Sequence, residues 1–273
     1  MKISRFWKHF LASACIIGIL ASGLPAYAAA SPAQATPEAL ELCNAAATPE
    51  SVISLINQIG TVTRSRRPAI VAALNAYNQL DDASKAQVSN FSVLADAQQI
   101  LGIQDALAKL SVSYDKVDAD WSISTPYVDK SISRKSSGIY PWIYVSENAT
   151  NIYMNVMFQY IGSRRIDLKQ ILVRAGDEKY TFDCDTSYDG GYDASLKAWF
   201  DIEAFIMEPD EISWFGEWLS QPEVIARFIG WDSTTFDYTL TAPNRQGLSD
   251  VIDAYNLLNA ATPEVRAKAL RNL

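Results

Sequence analysis

Apolar and polar residues alternate along this chain with a period that changes twice. From about residue 37 to 112 the spacing is helical. Val52, Leu55, Ile56 and Ile59 fall on one face of a helix that Gly60 ends. A second helix is predicted from about Pro68, with Val71, Leu74 and Tyr77 as its apolar face. Asp81-Asp82 opens a short third around Val88, and Leu94, Ala97 and Leu101 mark a fourth. Short turns between them imply compact antiparallel helices. Thr36-Pro37-Glu38, Thr48-Pro49-Glu50 and Thr262-Pro263-Glu264 each set a capping hydroxyl before proline, with an acid at the positive end of the helix.

From about 113 to 241 the period is two. Ile152, Met154, Val156, Phe158 and Tyr160 alternate with Tyr153, Asn155, Met157 and Gln159. Ile171 and Val173 continue the pattern, and Ala175-Gly176-Asp177 turns the chain into Tyr180-Thr181-Phe182. Leu196, Ala198, Phe200 and Ile202 predict another strand with these residues on its apolar face, and Val224–Ile229 and Phe236–Leu240 predict two more. Pro209 starts one helix among them, with Ile212, Phe215 and Leu219 inward. From Thr241 the helical period returns in Leu248, Val251, Ile252, Tyr255 and Leu258. The expected fold is α+β: a helical bundle over 37–112, an antiparallel sheet or sandwich with one inserted helix over 113–241, and C-terminal helices over 242–273. Ala254-Tyr255-Asn256 echoes Ala76-Tyr77-Asn78, and either a partial repeat or shared helical constraints account for it.

The first ~28 residues follow a different rule. Lys2, Arg5 and Lys8 precede an apolar run from Phe10 to Leu24, then Pro25 and Ala26-Tyr27-Ala28. That order is a cleavable export signal, followed by a flexible leader over 29–36. The run is ~15 residues, short of a spanning helix. Cys15 after Ala12-Ser13-Ala14 also admits a lipoprotein reading, but the main apolar stretch lies after that cysteine. No later stretch is long and apolar enough to span a bilayer, so the expected location is secreted or periplasmic.

Export changes the charge and the chemistry. Taking Lys2, Arg5 and Lys8 from 23 basic residues leaves 20 against 31 acids, a net charge of −11. Nucleic acid, whose phosphates need a basic face, is not an expected partner. Basic clusters at Arg64, Arg66 and Arg67 and at Lys130, Arg134 and Lys135 read as solvated loops. The one histidine, His9, leaves with the signal, which removes serine–histidine and cysteine–histidine nucleophile systems and the usual zinc sites. Cys43 and Cys184 remain, an even number in an oxidising compartment, and are predicted to pair; two buried thiols are the competing reading.

Three groups of residues are candidates for binding or catalysis. Asp183, Asp185, Asp189 and Asp193 lie on a glycine-bearing stretch and would suit calcium, the one cofactor considered, although the spacing is not that of the helix–loop–helix calcium motif. A solvated turn explains them equally. Asp201 with Glu203, and Glu208, Asp210, Glu211 and Glu217, are candidates for carboxylate-only glycoside hydrolysis; an ordinary polar strand face explains the first pair. Trp199, Trp214, Trp218 and Trp231 are candidate binding aromatics, with core packing as the alternative, and Trp121 and Trp142 complete the mature set. Arg227, on a strand expected to be central, requires a carboxylate partner, Asp201 or Asp237.

Val52-Ile53-Ser54-Leu55-Ile56-Asn57-Gln58-Ile59-Gly60-Thr61-Val62-Thr63, with Tyr77, Leu80 and Val88-Ser89-Asn90, resembles a small helical module of exported Gram-positive surface proteins. Tyr140 to Tyr255 is similar to a β-rich group of exported bacterial proteins, through Lys179-Tyr180-Thr181-Phe182, Arg227-Phe228-Ile229-Gly230 and Val251-Ile252-Asp253-Ala254-Tyr255. The resemblance implies export and a two-part architecture, and brings no catalytic residue. No constellation here identifies a reaction. The expectation is a secreted, non-catalytic interaction protein for an extracellular glycan, cell-wall polymer or protein, with a carboxylate-dependent hydrolase as the alternative.

Overall fold

The threonine–proline signals set two helix starts. Thr48 caps α1 (Pro49–Asn57), its hydroxyl accepting from the Ser51 N–H at 3.3 Å, and Thr262 caps α7 (Pro263–Arg271) through the Val265 N–H, also at 3.3 Å. Thr36 lies outside the described residues. These are 47–126, 136–184 and 189–273 of a computed structural model, so the signal, the leader, Cys43, Asp185 and the Lys130 cluster lie outside them too. After α1, Gly60 turns the chain at φ +62°, a left-handed conformation that costs glycine nothing. Then come α2 (Arg67–Asn78), the short α3 (Asp82–Lys85) capped by Asp81, and α4 (Phe91–Leu107). On α2 the buried residues are Ile70 and Ala73, one position before the predicted stripe, and Val71 faces solvent.

Ten strands follow. A six-stranded antiparallel sheet has the order β1-β2-β3-β4-β8-β7: Ser111–Asp115, Asp120–Ser124, Gly138–Ser146, Ile152–Gly162, Ala198–Met207 and Asp189–Asp193. A four-stranded antiparallel sheet has the order β10-β9-β5-β6: Thr235–Thr239, Val224–Gly230, Leu168–Ala175 and Glu178–Asp183. The β5–β6 turn is the one the Ala175-Gly176-Asp177 pattern predicts, with Gly176 at φ +62°. Helix α5 (Pro209–Ser220) is inserted between β8 and β9, and α6 (Ala242–Ala260) and α7 close the chain.

One face of the larger sheet has two covers. On β4 it meets the smaller sheet, Phe158 against Phe182 at 4.8 Å and Tyr160 against Phe236 at 4.9 Å between ring centroids. On β3 it meets α6, which itself packs on α4 and α5. Val112 of β1 and Trp121 of β2 line a cleft with Leu107 of α4 and Leu270 of α7. Residues 47–273 form one compact unit with one apolar core. Its polar anchor is Arg266, 5% exposed, which donates to the carbonyls of Leu258 (2.7 Å), Ala149 (2.6 Å) and Ala261 (3.0 Å).

Two strand expectations change. The inward residues of β8 are Trp199, Asp201, Glu203, Phe205 and Met207, because the register pairs Asp201 with Tyr160, Glu203 with Phe158 and Phe205 with Val156. Ala198, Phe200 and Ile202 lie on the opposite face, the one without a charged residue, so the alternation alone predicts the reverse orientation. Arg227 pairs with Asp237 as expected, through two contacts of 2.7 Å, but both side chains are half-exposed on the outside of the smaller sheet.

Candidate functional site

The other face of the six-stranded sheet is built by the same register. Ser122 of β2 lies opposite Tyr144, Tyr144 opposite Tyr153, Trp142 opposite Asn155, and Asn155 opposite Ile206. Residues directly opposite in an antiparallel pair share a face, so these side chains lie together across four strands. Towards the β3–β4 turn the face is open: Tyr144 is 39%, Tyr153 52% and Ile206 66% exposed. Trp142 meets Tyr144 edge-on at 6.3 Å. Asn155 sits among them at 6% exposure, and its Nδ2 has no hydrogen-bond partner. At the far end Tyr140 and Gln159 are buried and both bond to Ser136. No aspartate, glutamate, lysine or arginine occupies an outward position of β3, β4 or β8.

The tryptophans predicted from sequence do not gather in one place. Trp218 is fully buried and Trp214 half-buried on α5, packed on Tyr180 and Phe182. Trp199 is half-buried and meets Tyr192 of the edge strand at 5.4 Å. Trp231 is 58% exposed in the β9–β10 turn, with the Lys169 ammonium 5.4 Å from its ring, and its backbone N–H donates to the Asp167 carbonyl. Trp199 and Trp231 therefore flank the β4–β5 connection.

The carboxylates are spread as well. Asp201 is fully buried between the sheets, where its Oδ2 accepts from the Ile166 N–H at 2.9 Å; burial raises its pKa above the usual carboxylate range. Glu203 shares its inward face. The expectation of an outward polar pair is therefore corrected: both acids lie on the inward face, and Asp201 holds the β4–β5 connection. On α5, Glu211 accepts from the Glu208 N–H as a cap, while Glu217 accepts from the Tyr180 hydroxyl. Burial, with Glu217 second, pushes the Tyr180 phenol up to about 12. Asp210 is an exposed first-turn acid.

Asp183 ends β6 and accepts from Gln170, whereas Asp189 and Asp193 stand at opposite ends of β7. Four residues of extended chain separate those two by about 13 Å, too far to share one calcium ion at ~2.4 Å. Asp193 caps the β7–β8 turn by accepting from Ser195 and Leu196. Among the described residues no group of three or more histidine, cysteine, aspartate or glutamate side chains could hold a metal ion. Cys184 is a half-buried thiol, and Cys43, its expected partner, lies outside the described residues. Burial, and then the charges of Glu203 and Asp183, raise its pKa to about 12. Arg67 and Arg64 face Asp105, so that basic cluster is paired on the surface.

In the sequence the outward face is masked, because Tyr153, Asn155 and Met157 read as the polar side of an alternating strand. Its signal was the aromatic spacing Tyr140, Trp142, Tyr144, which puts three rings on one side of β3. Among the described residues no helix is long and apolar enough to cross a membrane. Comparisons with protein-family models, with curated proteins and with solved structures gave no match.

Proposed function

We propose that this chain is an exported, non-catalytic binding protein, and that its binding surface is the open end of the outer face around Tyr144 and Tyr153. The observation that carries the reading is a run of exposed aromatic and aliphatic side chains across β3, β4 and β8 with no charge among them, in a chain of net charge −8. Contiguous exposed apolar surface of this kind marks interaction sites. Large aromatics carry most of the energy in such surfaces. The signal-like N-terminus supports a partner outside the cytoplasm, and the histidine-free mature sequence supports binding over turnover.

The test is co-sedimentation of the secreted protein with bacterial cell envelopes, one preparation from a single-membrane and one from a double-membrane species. Wild type should sediment with at least one. The doubly substituted Tyr144→Ala, Tyr153→Ala protein, with an unchanged circular dichroism spectrum, should stay in the supernatant. If wild type sediments with neither, or the double variant sediments equally well, the reading fails.

A further inference from the structure

Resting on that reading of the outer face, we propose that the ligand is an uncharged polysaccharide chain lying across β2, β3, β4 and β8. Three features of the face select this class. The first is charge. Among the outward positions of β2, β3, β4 and β8 the one charged side chain is Asp120, at the end of β2 opposite Ser146. An anionic polymer would find no counter-charge there, and a cationic one only this single carboxylate at the rim. The acidic field of the whole chain repels anionic polymers. The same field opposes a second copy of this chain docking face to face.

The second feature is shape. Tyr144 and Tyr153 are directly opposed across β3 and β4, and Trp142 lies edge-on to Tyr144. Rings standing on a sheet offer flat apolar surface with a polar rim, which matches a sugar ring with apolar faces and hydroxyl edges. From β2 to β8 the face spans three strand spacings, about 14 Å, so it takes a chain rather than a single sugar.

The third is Asn155. Its Nδ2 is buried among these rings and has no partner. Leaving such a donor unpaired costs about 1–3 kcal/mol. An extended chain of hydroxyls brings acceptors to Asn155 and partners for Ser122 in the same plane as the rings.

The test is affinity electrophoresis of the full-length secreted protein in gels cast with hydroxyethylcellulose, glucomannan, xylan or β-1,3-glucan. Pull-down on cellulose and chitin extends the neutral panel, and polygalacturonate is the charged control. At least one neutral polymer should retain the protein and polygalacturonate should not. Tyr144→Ala should weaken retention about tenfold or more, and Tyr144→Phe should keep it. Asn155→Leu should weaken retention without lowering Tm, since it removes an unpaired buried amide. Retention that ignores these substitutions, or retention on polygalacturonate alone, overturns the proposal. Envelope binding that needs Tyr144 and Tyr153, with no neutral polymer retained, also overturns it yet leaves the outer face as the binding surface. Loss of that envelope binding after protease treatment would then identify a protein partner. Envelope binding indifferent to Tyr144 and Tyr153 removes the surface itself.

Discussion

At the scale of single residues, three buried polar side chains hold the molecule in register, and each solves its desolvation differently. Gln104, fully buried on α4, gives its Nε2 to the carbonyls of Val62, Ala269 and Asn272. Arg266 has no carboxylate partner among its hydrogen bonds; it takes three carbonyls, two of them at the negative end of α6. Burial lowers its pKa, but an arginine remains charged far above neutrality. Arg266→Ala would strand those carbonyls, so a loss of about 3 kcal/mol is expected, read as a Tm fall of roughly 6–12 °C in a calorimeter. Arg266→Lys should recover only part, because one ammonium does not span three acceptors on two elements. An Ala variant as stable as wild type would show that the carbonyls find other partners.

Asp201 makes the opposite case, because its pKa rises on folding. A carboxyl that holds its proton more tightly in the native state favours folding most at low pH. That contribution falls as pH rises through its native value. Asp201→Asn abolishes the titration and keeps an acceptor for the Ile166 N–H. Whatever its offset, the Tm of the variant relative to wild type should climb as pH rises through the window just above the ordinary carboxylate pKa of about 4. A flat difference across that window would show that Asp201 does not titrate between the folded and unfolded states.

Among the elements, helix starts were legible, whereas the buried face was legible in β4 and not in α2 or β8. Helix ends are written in side chains that bond to their own backbone: Thr48, Asp81 and Thr262 each accept from the third residue on. Thr241 does the same for α6 ahead of Pro243, without the acid that marks the other threonine–proline starts. Thr262→Ala should cost about 1 kcal/mol, a shift in urea midpoint at unchanged slope; a shift within error would place the stability of α7 in its packing alone. Strand faces carry no such local mark. In β8 the alternation alone would send the side with Asp201 and Glu203 outward and the wholly apolar side with Phe200 and Ile202 inward; the pairing with β4 reverses this. The strand period also left the outer face reading as a polar side, since Asn155 and Gln159 alternate with core residues although both are buried. The proposed binding surface emerges from register, a long-range property, while Trp214 and Trp218, four apart on one helix and candidates for binding by sequence, pack into the core.

The period changes twice along the chain, yet the helices and sheets of residues 47–273 share one apolar core. The reason lies in the inner face of the six-stranded sheet. The smaller sheet covers it at β4, and α6 covers it at β3, where Ile143 and Val145 are fully buried beside Ile123 of β2. A fragment of residues 113–241 would lack α4, α6 and α7 and expose those three side chains. At ~1.5–3 kcal/mol each, their loss approaches the whole stability of a typical domain, about 5–15 kcal/mol. The fragment should therefore give a poorly dispersed amide spectrum and bind a hydrophobic dye. In the intact protein, residues 47–273 should unfold as one cooperative unit. Tryptophan emission, reporting Trp218 between β6 and α5 and Trp121 at the helix–sheet seam, should follow the same thermal curve as far-ultraviolet circular dichroism. Two separated transitions, or a 113–241 fragment with a dispersed spectrum, would mean that the β3–α6 contact is a joint between independent domains rather than part of the core.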